Sequence, residues 1–414
     1  MNDGPRTHRG GVVLTVATIA IGLGSIPGFL FGYLGPLFEA DLGISKPALG
    51  VLIGVFFGAT GLASTVGGAW AERIGAHKAV GIDLLMVAAG LALAVLVPTY
   101  ASLLVMAVFT GAGYALANAG TNMAVAASIA PARHGIAMAV RTAGVPAVGA
   151  VQSLVGVGAA AAFGWRPVLA VVVPVVLVVG VLCFRLLPAA RSAGDPAAAV
   201  VEAHDLVGDG PGTTRRVRLP VGFGWYPVAA FLLIAGTQPI YSWTVSYLDE
   251  VGGMSVATAG ALASIGSAFA VVAMIVLAGR ADRIGGDRVR PVVLLTGAAT
   301  VGVGLLWLGI VAGPVAMTAG LVVGSLAQLT AIGLMHAAVV ATAPHLVGRA
   351  SGATMAGYYL GALLSAPLFG LSVKATGGYG LGWGVSLVLV AASVLCFARC
   401  RKVTADARAA MQTG

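Results

Sequence analysis

The sequence predicts an all-α integral membrane protein: twelve transmembrane helices arranged as two six-helix pseudo-repeats. Three observations carry that prediction. The composition is too apolar for a soluble domain, the chain contains twelve apolar runs of spanning length, and short motifs recur between its two halves. Of 414 residues, 59% are hydrophobic and 9% charged, whereas soluble domains average about 25% charged residues.

A bilayer core about 30 Å thick needs roughly 20 consecutive apolar residues per helical span. In the first half such runs fall at 12–37, 47–70, 79–97, 101–127, 134–160 and 166–187. In the second half they fall at 221–248, 256–279, 291–311, 314–342, 349–375 and 380–398. Helices are expected because lipid offers the backbone no hydrogen-bond partner, and the alternating pattern of a membrane barrel does not occur. Pro27, Pro146 and Pro239, with many glycines, predict bent or locally broken spans.

The formal charge of +9 does not indicate nucleic acid, because the basic residues occupy short loops between spans. Nineteen of the Lys and Arg residues fall on one side, among them Arg6, Arg73, Lys78, Arg133, Arg191, Arg215, Arg216, Arg283 and Arg349; Lys46, Arg166 and Lys374 fall on the other. The positive-inside rule then places both termini in the cytoplasm of a plasma or inner membrane. A cleavable signal peptide is not expected, since the first run exceeds the usual length of such a segment. Cys183, Cys396 and Cys400 lie in or at the ends of spans and read as packing residues, not a metal site or a disulfide framework. No cofactor is implied, and a monomer with a small-molecule substrate in a lipid bilayer is expected.

The only long polar segment, 188–220, reads as a cytoplasmic linker. It separates an N-terminal bundle, 1–187, from a C-terminal bundle, 221–414. "ERIG" at Glu72 to Gly75 returns as "DRIG" at Asp282 to Gly285, an offset of 210. "GIAMAVRTAG" from Gly135 returns as "GATMAGYYLG" from Gly352, an offset of 217, and "GW" at Gly164 and Trp165 returns at Gly382 and Trp383, an offset of 218. A duplicated helical unit is the arrangement of secondary carriers whose halves rock about a site near the midplane.

With these motifs the chain resembles the major facilitator superfamily along nearly its whole length. The resemblance rests on "GAWAERIGAHK", running from Gly68 through Glu72, Arg73 and Gly75 to Lys78, and on "AGRADRIGGDR", running from Ala278 through Asp282, Arg283 and Gly285 to Arg288. Departures include Glu72 for Asp, with Ala76 and His77 where basic residues often stand. The resemblance implies the fold and an alternating-access mechanism without naming a substrate. An acid followed by Arg at a helix end can pair with a neighbouring span or a helix terminus in one conformation and release it in another. Glu72, Arg73, Asp282 and Arg283 are therefore candidate gating residues; ordinary loop charge is the alternative.

The resemblance also implies that the first, fourth, seventh and tenth spans line a central cavity, with help from the fifth and eleventh. Tyr114, Asn118 and Asn122 recur every four residues in the fourth span and share a face. Arg141, in the fifth, is the one basic residue inside a span. At 1.5 Å per residue Asn122 and Arg141 lie roughly 9 and 12 Å from the cytoplasmic side. An intramembrane charge demands water or a partner, and the guanidinium fork suits a carboxylate or phosphate. Arg141 is thus a candidate anchor for an anionic solute, with Tyr114, Asn118 and Asn122 as neutral partners. Snorkelling to the interface, or a structural pair with Asp83 near the start of the third span, stay open as alternatives. The second half offers Gln238, Tyr241 and Ser242, then Gln328, Tyr358 and Tyr359, and His336 as a candidate proton carrier; interhelical packing is the alternative for each.

Drug exporters of the superfamily carry an Arg ahead of the Gly-x-Gly that stands here at Gly111 and Gly113; this chain has Ala107 there. No Asp or Glu is expected deep in a span, the nearest acids being Glu39, Asp41, Asp249 and Glu250. A basic residue ahead of "GVP" in the fifth span resembles permeases grouped with cyanate and small organic-anion carriers. The expectation is a secondary carrier of a small anionic organic solute, with a proton as coupling ion; a proton-coupled exporter of hydrophobic compounds is the alternative. Neither a nucleophile–base pair nor a metal cluster at membrane depth points to an enzyme.

Overall fold

A computed structural model describes residues 4–130, 133–190, 219–284, 287–343 and 346–413. Most of the predicted 188–220 linker lies outside the described residues. The first half comprises α1 (Gly4–Gly24), α2 (Ile26–Tyr33), α3 (Gly35–Leu42), α4 (Lys46–Ile74), α5 (Ala76–Leu96), α6 (Tyr100–Ser128) and α7 (His134–Val151). A π-helical turn, Gln152–Gly156, leads to α8 (Val157–Phe163) and α9 (Trp165–Leu186). The second half comprises α10 (Trp225–Thr237), α11 (Pro239–Ser242), α12 (Thr244–Glu250), α13 (Val256–Ile284), α14 (Arg290–Ala312), α15 (Pro314–Thr342), α16 (Val347–Thr376) and α17 (Gly380–Thr413). No strand occurs among the described residues.

Among the described residues ten helices are long and apolar enough to cross a membrane, and up to twelve spans result if each of two bent pairs is one span. The bends are 42° between α1 and α2, and 50° between the α10–α11 stretch and α12. Proline accounts for the break between α1 and α2 and for the interruption between α10 and α11, since Pro27 and Pro239 cannot donate to the carbonyls four residues earlier; the 50° bend falls at Trp243, four residues past Pro239. The Ala235 carbonyl, which loses its partner to Pro239, instead accepts the Ser365 hydroxyl of α16 at 2.8 Å. At the first break the Ser25 hydroxyl donates to the Gly22 carbonyl at 2.6 Å.

The halves meet along two principal seams, α4 against α16 and α7 with its π-turn against α13. On α4, Gly50, Gly54 and Gly58 form a stripe on which a Cβ would strike the Ala366 carbonyl at 2.4 Å, the Leu363 carbonyl at 2.4 Å and the Leu363 side chain at 2.8 Å. Small residues at this spacing let two membrane helices approach backbone to backbone. Gly32 of α2 is equally tight, its Cβ position lying 2.2 Å from the Tyr241 carbonyl of α11.

These contacts are confined to one end and the middle of the molecule. They begin where Gly370 meets the Lys46 carbonyl, and reach mid-helix where Gly61 of α4 meets the Tyr359 side chain. Beyond it, the Cβ positions of Gly68 and Gly352 face open space. The sealed end is acidic: Lys46 joins Glu39 at 3.0 Å and, across the halves, Glu250. On the same end Asp41 accepts from Arg166 at 2.8 Å and from the Trp165 indole at 3.0 Å. Those two donors hold its carboxyl below the ordinary aspartate range. The opposite end carries most of the basic residues of the chain.

Candidate functional site

Arg141 stands on α7, three turns before the π-turn. It is 5% exposed, so it does not snorkel. Its Nε donates to the Thr121 hydroxyl at 2.9 Å, and Nη2 donates to the same hydroxyl at 2.6 Å. Nη2 also reaches the Asn118 backbone carbonyl and Oδ1, each at 3.1 Å. Every one of these acceptors is neutral and belongs to α6, and Nη1 has no protein acceptor among the described residues. The suggested pair with Asp83 does not form.

The fork meets α6 because Asn118 and Thr121, three residues apart, project from one helix face. Asn118 Nδ2 donates back to the Tyr114 carbonyl at 3.1 Å, which orients Oδ1 toward the guanidinium. The Tyr114 hydroxyl lies beside Asn118 and within electrostatic reach of Arg141 and Tyr359. From the other half, Tyr359 of α16 lies beside Ser64 of α4 and also within reach of Arg141. Tyr358 packs edge-on against Tyr359, with ring centroids 5.3 Å apart. His336 of α15 is exposed, its Nδ1 held by the Ile332 carbonyl of its own helix at 2.9 Å, and it too lies within electrostatic reach of Arg141. Tyr114, Tyr359 and His336, from both halves, thus lie within electrostatic reach of Arg141.

Other candidates lie elsewhere. Asn122 is exposed and forms no bond to Arg141; the adjacent Thr121 does, one residue and a 100° rotation away. Gln238, Tyr241 and Gln328 are 3%, 5% and 2% exposed. They belong to the closed packing between α10–α11 and α15, where the Tyr241 hydroxyl donates to the Ser325 carbonyl at 3.1 Å. Glu72 is half-buried, Arg73 is exposed, and neither forms an ion pair among the described residues. The side chains of Asp282 and Arg283 lie outside the described residues.

The expectation that no acid lies deep in a span needs correction. Asp83 of α5 lies against Gly24 at the α1–α2 break and Gly113 midway along α6, and its side chain is completely buried. Sequence reasoning also passed over Thr121, because a strict four-residue count selected Asn122. No group of His, Cys, Asp or Glu able to hold a metal ion occurs among the described residues.

The fold and this intramembrane cluster define a multi-pass α-helical membrane carrier. A family model, that of the Major Facilitator Superfamily, matches residues 12–366. The chain belongs to that superfamily and is a secondary membrane transporter. A sequence search of curated proteins found no match.

Proposed function

We propose that this carrier moves small organic anions across a plasma or inner membrane by alternating access, with Arg141 as the anchor of the anion. One observation carries the reading: among the described residues a buried, permanently charged guanidinium has only neutral partners and keeps Nη1 unused. A charge in that setting is most stable when a counter-charge joins it, and a carboxylate fits the fork in two-point geometry. Tyr114, Tyr358 and Tyr359 supply hydroxyls and apolar walls, as befits an organic rather than an inorganic ion.

With the basic end in the cytoplasm, the sealed acidic end faces outward and the described conformation is inward-facing. In this reading residues 1–187 and 221–414 act as two bundles joined by the 188–220 linker, with both termini cytoplasmic. The Lys46 contacts then close the outer side, while Glu72, Arg73, Asp282 and Arg283 close the inner side in the opposite conformation. Gln238, Tyr241 and Gln328 would meet solute only after the outer end opens. A monomer suffices, the reaction is translocation without bond chemistry, and a proton is the coupling ion.

The test is uptake by the purified protein in liposomes of labelled short mono- and dicarboxylates, run beside labelled hydrophobic amines. Carboxylate uptake saturating with concentration, without amine transport, supports the reading. Amine transport alone would assign the protein to the exporters of hydrophobic compounds.

A further inference from the structure

Asp83 sits inside the first half of the chain, away from the fork of Arg141, and its surroundings are built for it. Two glycines on different helices concede the space its carboxyl fills: a Cβ on Gly24 of α1 would lie 2.5 Å from Oδ2, and one on Gly113 of α6 would lie 2.9 Å from Oδ1. The residue is 0% exposed, and neither oxygen has a hydrogen-bond partner among the described residues. The titratable groups near it are Tyr114 of α6 and Cys183 of α9, both neutral in their ordinary state. On α1 it faces the Gly24 position, and Arg141 of α7 spends its bonds on Thr121 and Asn118.

A carboxylate with no donor and no cation beside it is severely destabilised in such a place. The neutral acid is the form this conformation accommodates. Acids retained at membrane depth commonly mark proton paths, and Asp83 touches two parts that can transmit its charge. Gly24 is the last residue of α1, at the break where the chain turns by 42°. The same Cβ position lies 3.4 Å from the Tyr114 ring, whose hydroxyl lies beside Asn118, the residue that holds Arg141. Ionisation of Asp83 would require water or donors to enter at the α1–α2 break, and so a different angle between those helices.

We propose that Asp83 binds and releases one coupling proton per transport cycle, and that the break between α1 and α2 responds to its charge. The proton is taken from water as an O–H bond forms on the carboxylate, and it returns to water when that bond breaks. This rests on the anion-carrier reading above, and the experiment separates the two.

Liposomes containing the parent protein or Asp83→Asn are assayed with labelled short carboxylates in two ways: exchange without any ion gradient, and net uptake under an imposed pH gradient. A gradient of one pH unit is worth about tenfold accumulation per coupled proton. The parent is expected to reach that level, while Asp83→Asn retains exchange and accumulates nothing. Tenfold accumulation by Asp83→Asn, or accumulation by the parent under a sodium gradient and not a proton gradient, would overturn the proposal. If the parent transports no carboxylate at all, the anion reading fails, and Asp83 is judged by infrared spectroscopy instead. A carbonyl band of a neutral carboxyl at pH 7, shifted by ¹³C-aspartate labelling of the parent and missing from Asp83→Asn, supports the proposal. Absence of an isotope-shifted band in the parent overturns it, whether or not the Asn variant folds.

Discussion

Arg141 of α7 and Thr121 of α6 are joined twice, through Nε at 2.9 Å and Nη2 at 2.6 Å, so one neutral hydroxyl orients a buried charge without neutralising it. A carboxylate in the position of Thr121 would fix the guanidinium as a structural ion pair. A hydroxyl fixes its direction and leaves its charge unpaired. The consequence is specific: Thr121→Val, similar in shape, should lose orientation while keeping the cation. Hydrogen bonds to charged groups contribute about 1.5–3 kcal/mol, so carboxylate KM should rise about 10- to 100-fold. Thr121→Ser should keep KM near the parental value.

Gly32 and the Tyr241 carbonyl define how closely α2 and α11 approach at the sealed end, 2.2 Å from a Cβ position. Because this contact joins the two halves, Gly32→Ala should shift the conformational equilibrium more than the folding equilibrium. Overpacking costs about 1–3 kcal/mol, borne by the sealed conformation. Spin labels on Ala40→Cys and Val251→Cys should report a longer separation in Gly32→Ala than in the parent. Thermal stability in detergent should change little. An unchanged distance distribution would show that the seam yields without opening.

Lys46 bridges the halves at the same end through Glu39 and Glu250. Partly exposed ion pairs contribute about 0.2–1 kcal/mol, so Lys46→Gln should lower the sealed population by no more than about fivefold. The same spin-label pair reads this effect, and high salt should diminish the difference between parent and variant.

The Glu39 carboxyl is raised above its ordinary value, chiefly by burial, with Lys46 offsetting only part of that effect. The sealed conformation therefore binds a proton on Glu39 more readily than a conformation in which Glu39 meets water. By linkage, acidification favours the sealed state, the preference growing as pH falls through the raised value and reaching its full extent below the ordinary one, about 4.3. Glu39→Gln should remove this pH dependence from the spin-label distances. A sealed population that decreases on acidification in the parent would contradict the assignment.

The fold was readable because spans announce themselves as long apolar runs, and Pro27 and Pro239 marked the interruptions after α1 and α10, whereas the 50° bend at Trp243 carried no such mark. The site was only partly readable. Arg141 stood out as a lone charge among apolar neighbours, but its partner Thr121 did not, since threonine is common on membrane helices and bonds its own backbone. The burial of Asp83 depends on Gly24 of α1 and Gly113 of α6 packing around its carboxyl, a tertiary contact that hydropathy does not define. Gln238, Tyr241 and Gln328 are packed away in this structure, and their residue types do not distinguish a cavity lining from an interhelical contact.

The most direct test of the account compares carboxylate uptake by the parent, Arg141→Lys and Arg141→Gln in liposomes, with protein content matched. Loss of most uptake in Arg141→Gln, with partial activity in Arg141→Lys, is the expected result, because Lys restores charge without the fork. Parental uptake rates in Arg141→Gln would contradict the assignment of Arg141 as the anion's anchor.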